Sequence, residues 1–131
     1  MTRSYRLLVA LLLLSCSSDS SSPTAPRPPM INPRALSTCS QVSGAISAEL
    51  AYIQFCTRAS DCGQELLGTS CGCTRNLVAR RDISADRFYE ILARGQSMEC
   101  DLGFTSICDC PPADGFACIA NRCTWNYTGG G

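Results

Sequence analysis

The chain has 131 residues, with 11 cysteines, no histidine, and 11 basic residues, all arginine, against 11 acidic ones. Without lysine there is no Schiff base and no P-loop lysine, and without histidine the commonest general base and metal ligand are missing. A formal charge of zero argues against a nucleic-acid binder that works by neutralising phosphates, and the length allows one small domain.

Arg3 and Arg6 are followed by an apolar run from Leu7 to Leu14 and then Ser15-Cys16. A positive start and a short apolar run are the layout of a secretory signal, and the run is far shorter than the roughly 20 residues that span a bilayer. Leu13-Leu14-Ser15-Cys16 resembles the bacterial lipobox, and with its flanks the chain resembles a bacterial lipoprotein. The resemblance implies removal of residues 1–15, acylation of Cys16 and export to the cell envelope. Because Ser17, not aspartate, follows the cysteine, it also implies the outer membrane. Several acyl chains on one residue exceed the two-signal threshold for stable anchoring, so the lipid bilayer is the first expected partner.

Residues 16–37 read as the lipidated cysteine and a tether. Ser17–Ser22 is polar and flexible, and Pro23, Pro26, Pro28, Pro29 and Pro33 favour extended polyproline geometry. The cysteine-rich domain is expected over 38–128, with residues 129–131 as a flexible tail. From Gln41 to Phe55, Val42, Ile46, Leu50 and Ile53 recur at helical spacing. Thr69–Arg80 reads as a strand carrying Cys71-Gly-Cys73. A second helix is better marked, with Ser84 as N-cap, Ile83 stapled to Phe88, Glu90 and Arg94 spaced for an ion pair, and Gly95 as the stop. Ser106–Cys110 reads as a short strand ended by Pro111-Pro112. Phe116–Tyr127 reads as a hairpin turning at Ala120-Asn121, which sets Cys118 opposite Cys123 and Phe116 opposite Trp125. The fold class is therefore small, disulfide-rich α+β: two short helices and a few short antiparallel strands, including a C-terminal hairpin.

Setting Cys16 aside leaves an even set of cysteines: Cys39, Cys56, Cys62, Cys71, Cys73, Cys100, Cys108, Cys110, Cys118 and Cys123. An exported chain with one lipidated thiol and the rest in disulfides has no free cysteine. Ten cysteines allow about 945 pairings, and the two C-x-C pairs are expected to reach across the fold, not to close on themselves. Cys71, Cys73, Cys108 and Cys110 could in principle hold zinc or copper(I). An oxidising destination favours disulfides instead, so no metal or cofactor is expected.

Carboxylates at Asp61, Glu65, Asp82, Glu99, Asp101, Asp109 and Asp114 form no calcium-loop spacing, and Arg80-Arg81 beside Asp82 reads as solvated surface. No nucleophile motif is present, and no catalytic residue is expected. The functional expectation is a membrane-anchored, non-catalytic binding or structural module with a protein partner, its exposed aromatics Trp125 or Tyr127 as anchors unless they form the core. The alternative is a disulfide-stabilised inhibitor of a protease or other hydrolase, whose arginine-bearing loops would be Thr57–Asp61 and Thr74–Asn76.

Overall fold

The computed structural model describes residues 25–70, 75–104 and 112–129. Cys16, the whole of Cys71-Gly-Cys73, Cys108, Asp109, Cys110 and the strand expected over 106–110 lie outside them. Two helices, α1 (Cys39–Ile53) and α2 (Asp86–Ser97), accompany two antiparallel two-stranded sheets. One sheet pairs β1 (Cys62–Leu66) with β2 (Leu77–Arg80), and the other pairs β3 (Ala113–Ile119) with β4 (Arg122–Tyr127). The chain is a small disulfide-rich α+β fold.

Helix α1 begins two residues before the expected Gln41 because Thr38-Cys-Ser-Gln41 is a capping box. Thr38 Oγ1 accepts from the Gln41 N–H at 3.2 Å, and Gln41 Oε1 accepts from the Thr38 N–H at 3.2 Å. Its inward stripe, Val42, Ala45, Ile46 and Ile53, packs with Phe88, Ile91 and Leu92 of α2 and with Leu36, Leu66, Ala79 and Ala85. Ser84 does not cap α2 as expected. Ala85 is the capping residue, and Ser84 Oγ accepts from the Asp86 N–H.

Gly95 is not the stop expected of it. It is a buried position in the last turn of α2, where a Cβ would lie 2.9 Å from Leu102 Cδ1 and 3.0 Å from Val42 Cγ1, so its lack of a side chain lets α1 and the following loop approach. The helix instead ends on Glu99 in the left-handed region at φ 56°. The Cys100 N–H returns to the Gly95 carbonyl and the Glu99 N–H to Gln96, which is a Schellman closure without glycine. Cys100 is thereby set against the start of α1, where it bonds Cys39.

The expected boundary between tether and domain at 37/38 falls too late. Leu36 is buried in the helical core, and a short turn, Pro33–Ala35, precedes it. Arg94 donates from Nε and an Nη to the Leu36 carbonyl at 2.9 and 2.8 Å, which is where its guanidinium goes instead of pairing with Glu90. Arg87 donates to the Pro29 carbonyl at 2.7 Å. Its Nε also lies 3.2 Å from Oε2 of the buried Glu49, close enough for an ion pair though not aligned for a hydrogen bond. The proline-rich segment thus lies as a strap over the helices.

The first sheet contains a strand, β1, that was not expected, and of the strand expected over 69–80 the described residues show Leu77–Arg80. Thr69 Oγ1 donates to the Leu66 carbonyl and accepts from the Leu77 N–H, both at 2.7 Å. The second sheet has the expected register, Phe116 opposite Trp125 and Cys118 opposite Cys123. Ala120 and Asn121 both take positive φ, 51° and 58°, as a two-residue primed turn requires.

Among the described residues three bridges join separate elements: Cys39 to Cys100, Cys56 to Cys118 and Cys62 to Cys123, with sequence separations of 61, 62 and 61. On the loop-entropy account each such closure contributes about 4 kcal/mol. The latter two bridges, with Val78, Phe116 and Trp125, form a second small core beside the helical one.

Two expectations follow from this architecture. Ala120→Gly relieves a left-handed alanine and should raise stability by about 0.5–1 kcal/mol in denaturant unfolding; a loss would contradict the primed turn. Arg87→Met leaves Glu49 buried without its countercharge and should cost about 3 kcal/mol near neutral pH. Burial already raises the Glu49 carboxyl above its ordinary value, against the opposing pull of Arg87 and Arg27. The deficit should therefore fade as pH falls through that raised value and Glu49 takes up a proton.

Candidate functional site

The C-terminal hairpin has little core of its own and is seated by specific bonds. The Cys56 N–H donates to the Asn121 carbonyl at 3.0 Å, the Cys123 N–H to the Gln54 carbonyl at 2.8 Å, and Asn121 Nδ2 to the Cys56 carbonyl at 3.1 Å. Gln54, buried at the end of α1, sends Nε2 to the Val78 carbonyl at 2.8 Å. Gln54 alone thus ties the helix end to β2 on one side and to β4 on the other.

A cleft of about 200 Å³ opens where β2 meets β4, lined among others by Arg75, Asn76, Leu77, Arg122, Trp125 and Tyr127. Trp125 is half-buried: its Nε1 donates to the Asn76 carbonyl at 2.8 Å, and its ring lies 4.8 Å from that of Phe116. The Arg75 guanidinium sits 4.7 Å over the same ring, a cation–π contact. Trp125 is therefore a partly buried member of the second core, while Tyr127 is 47% exposed at the rim. Among the described residues no carboxylate lines the cleft and the buried Asn76 Oδ1 has no hydrogen-bond partner, while Arg122 is exposed. The arrangement suits a ligand that brings negative charge and a donor to the cleft and stacks on the outer aromatic ring.

The loop between Cys56 and Cys62, the first of the expected arginine loops, is held from within. The Asp61 carboxylate accepts from the Thr57 N–H at 2.9 Å, the Thr57 hydroxyl at 3.0 Å, the Arg58 N–H at 3.2 Å and Arg58 Nε at 3.1 Å. These donors, the Thr57 N–H foremost, hold the Asp61 carboxyl down at about 2, below its ordinary 3.8. The Arg58 side chain is 70% exposed and its backbone extended. In the second expected loop, Thr74 lies outside the described residues and Arg75 is laid on Trp125.

The remaining carboxylates are scattered. Glu65 accepts from Asn76 Nδ2 at 3.2 Å, Asp101 accepts from the Gly103 N–H at 3.0 Å, and Asp114 is exposed on β3. Arg80, read as solvated surface, is buried and forms a two-pronged pair with Asp82 at 2.8 and 2.6 Å, while Arg81 caps the Cys62 carbonyl. That pairing holds the Asp82 carboxyl below its ordinary value. The run of charges Arg80-Arg81-Asp82 misled because β2 buries consecutive residues, Val78, Ala79 and Arg80. Among the described residues no helix is long and apolar enough to cross a membrane. No family model, curated protein or solved structure matches the chain.

The loop makes a pH-dependent contribution whose sign is set by Asp61. A carboxyl at about 2 in the fold against 3.8 ordinarily stabilises fully above about pH 4 and loses that contribution as pH falls toward 2. Asp61→Asn should lower stability at neutral pH and flatten the acid limb of the unfolding profile between those values. An unchanged acid limb would mean that the loop is not organised by this carboxylate.

Proposed function

We propose that the chain is an exported lipoprotein, acylated at Cys16 and anchored in the bacterial outer membrane, whose domain is a non-catalytic binding module. The observation that carries the binding reading is the cleft between β2 and β4. It gathers Arg75, Arg122, Trp125 and Tyr127 from two hairpins, and both hairpins are fastened by disulfides, so little order has to be gained on association. The partner suited to it is a protein segment bearing carboxylates. The inhibitor reading draws support from the exposed Arg58, bracketed by two bridged cysteines, but the Arg58 N–H is already donated to Asp61. That donor is then not free to pair with the strand of a protease.

Labelled fatty acid should be incorporated by the chain in a diderm bacterium and lost in Cys16→Ser, which should also leave the membrane fraction; equal labelling of the variant overturns the anchoring. Proteins cross-linked to the mature domain in the envelope should be lost with Arg122→Glu or Tyr127→Ala and kept with Glu65→Ala, Asp101→Ala or Asp114→Ala. Stoichiometric inhibition of a trypsin-like protease, abolished by Arg58→Ala, would favour the inhibitor instead.

A further inference from the structure

The cleft between β2 and β4 runs along the outer edge of β4. Consecutive residues from both faces of that strand line it, Arg122, Cys123, Thr124 and Trp125, together with Tyr127, so main chain as well as side chain forms its wall. In an antiparallel strand the N–H and C=O groups of successive residues point to opposite sides. The Cys123 N–H points away from β3, donating to the Gln54 carbonyl, and the Thr128 N–H points toward β3, donating to the Pro112 carbonyl. Both bonds place the main-chain groups of Trp125 and Tyr127 on the outer side. Among the described residues no strand pairs with them there.

The chain begins to fill this edge and then leaves it. Phe55 bridges antiparallel to Arg122, with the Cys56 N–H donating to the Asn121 carbonyl and the Cys123 N–H to that of Gln54. Before Gln54 the chain is helix α1, which ends at Ile53, so this short pairing does not continue past Cys123. Gln54 closes that end of the cleft, with its carbonyl on β4 and its Nε2 on the Val78 carbonyl of β2. On the β2 wall, the buried Asn76 Oδ1 lacks a donor among the described residues.

The geometry points to strand addition: an extended acidic segment of a partner protein pairs antiparallel with Trp125 and Tyr127, in the line that Gln54 and Cys56 begin. This mode rests on the cleft being the binding site proposed above, and it specifies how the partner is held. Main-chain bonds to an exposed strand edge supply affinity, and alternate side chains supply specificity. Partner residues opposite Trp125 and Tyr127 turn their N–H and C=O groups to β4 and their side chains to the face carrying the two aromatic rings, where apolar groups fit. The residues between them share the face of Arg122 and Thr124, where a carboxylate meets the exposed guanidinium. The segment recognised is therefore an alternation of apolar and acidic residues.

The test uses the oxidised mature chain and a short synthetic peptide alternating valine with aspartate. Fluorescence anisotropy should show binding of the parent peptide. N-methylation of its valine amides, which face β4, should weaken binding at least about tenfold, and N-methylation of its aspartate amides, which face away, should weaken it far less. In the free chain the Trp125 and Tyr127 amides should exchange with D2O faster than that of Thr128, and the peptide should slow them at least about tenfold. Binding that is lost in Arg122→Glu yet equal for all three peptides, with no added protection at Trp125, overturns strand addition and leaves the cleft as the binding site. Absence of binding by the parent peptide overturns both. Protection of these amides in the free chain that falls on dilution assigns the edge to a second copy of the chain and also overturns the proposal.

Discussion

Seating the C-terminal hairpin is the constraint on which the rest of the structure turns. A lone two-stranded hairpin is marginal in water, and in β3 and β4 only Cys123 is buried. Two covalent bridges, the paired bonds between Cys56 and Asn121 and the bond from the Cys123 N–H to the Gln54 carbonyl supply what apolar burial does not. Once the hairpin is seated against β2, Trp125 reaches the Asn76 carbonyl, the second core closes, and the cleft acquires two walls. The Cys39–Cys100 bridge does the corresponding work at the far end, tying the start of α1 to the Schellman closure after α2.

Arginine serves mainly as a brace in this chain. Arg94 holds the Leu36 carbonyl, Arg87 holds Glu49 and the Pro29 carbonyl, Arg80 grips Asp82, and Arg81 reaches the Cys62 carbonyl. The guanidinium suits this use because it is planar, always charged and carries several donors in a fixed fork. Lysine would offer a point charge on a flexible stem. Beside these braces, Arg58, whose Nε is paired with Asp61, and Arg122 at the cleft are exposed.

The proline-rich strap and the arginine loop show the same economy of a small fold, in which polar groups and irregular backbone take over work that a larger apolar core would do. Leu36 completes the helical core from a segment that composition marks as tether. Asp61 organises a seven-residue span from Cys56 to Cys62 with one carboxylate and leaves the Arg58 side chain outward. Glu49, buried among α1, α2 and the strap, is tolerated because Arg87 follows it into the interior.

By itself, the sequence determined what rests on short-range pattern. Helical spacing marked α1 and α2, alternation and the Ala120-Asn121 turn set the hairpin register, and cysteine density marked a disulfide scaffold. Tertiary structure alone decided which cysteines pair, that Gly95 is a close-approach position and not a stop, that Arg80 is buried, and that β1 and the strap belong to the fold. Each of these depends on contacts between residues far apart in the chain, where local propensity carries no signal: a bridge across some sixty residues or a carbonyl awaiting an arginine is specified only once the elements have met.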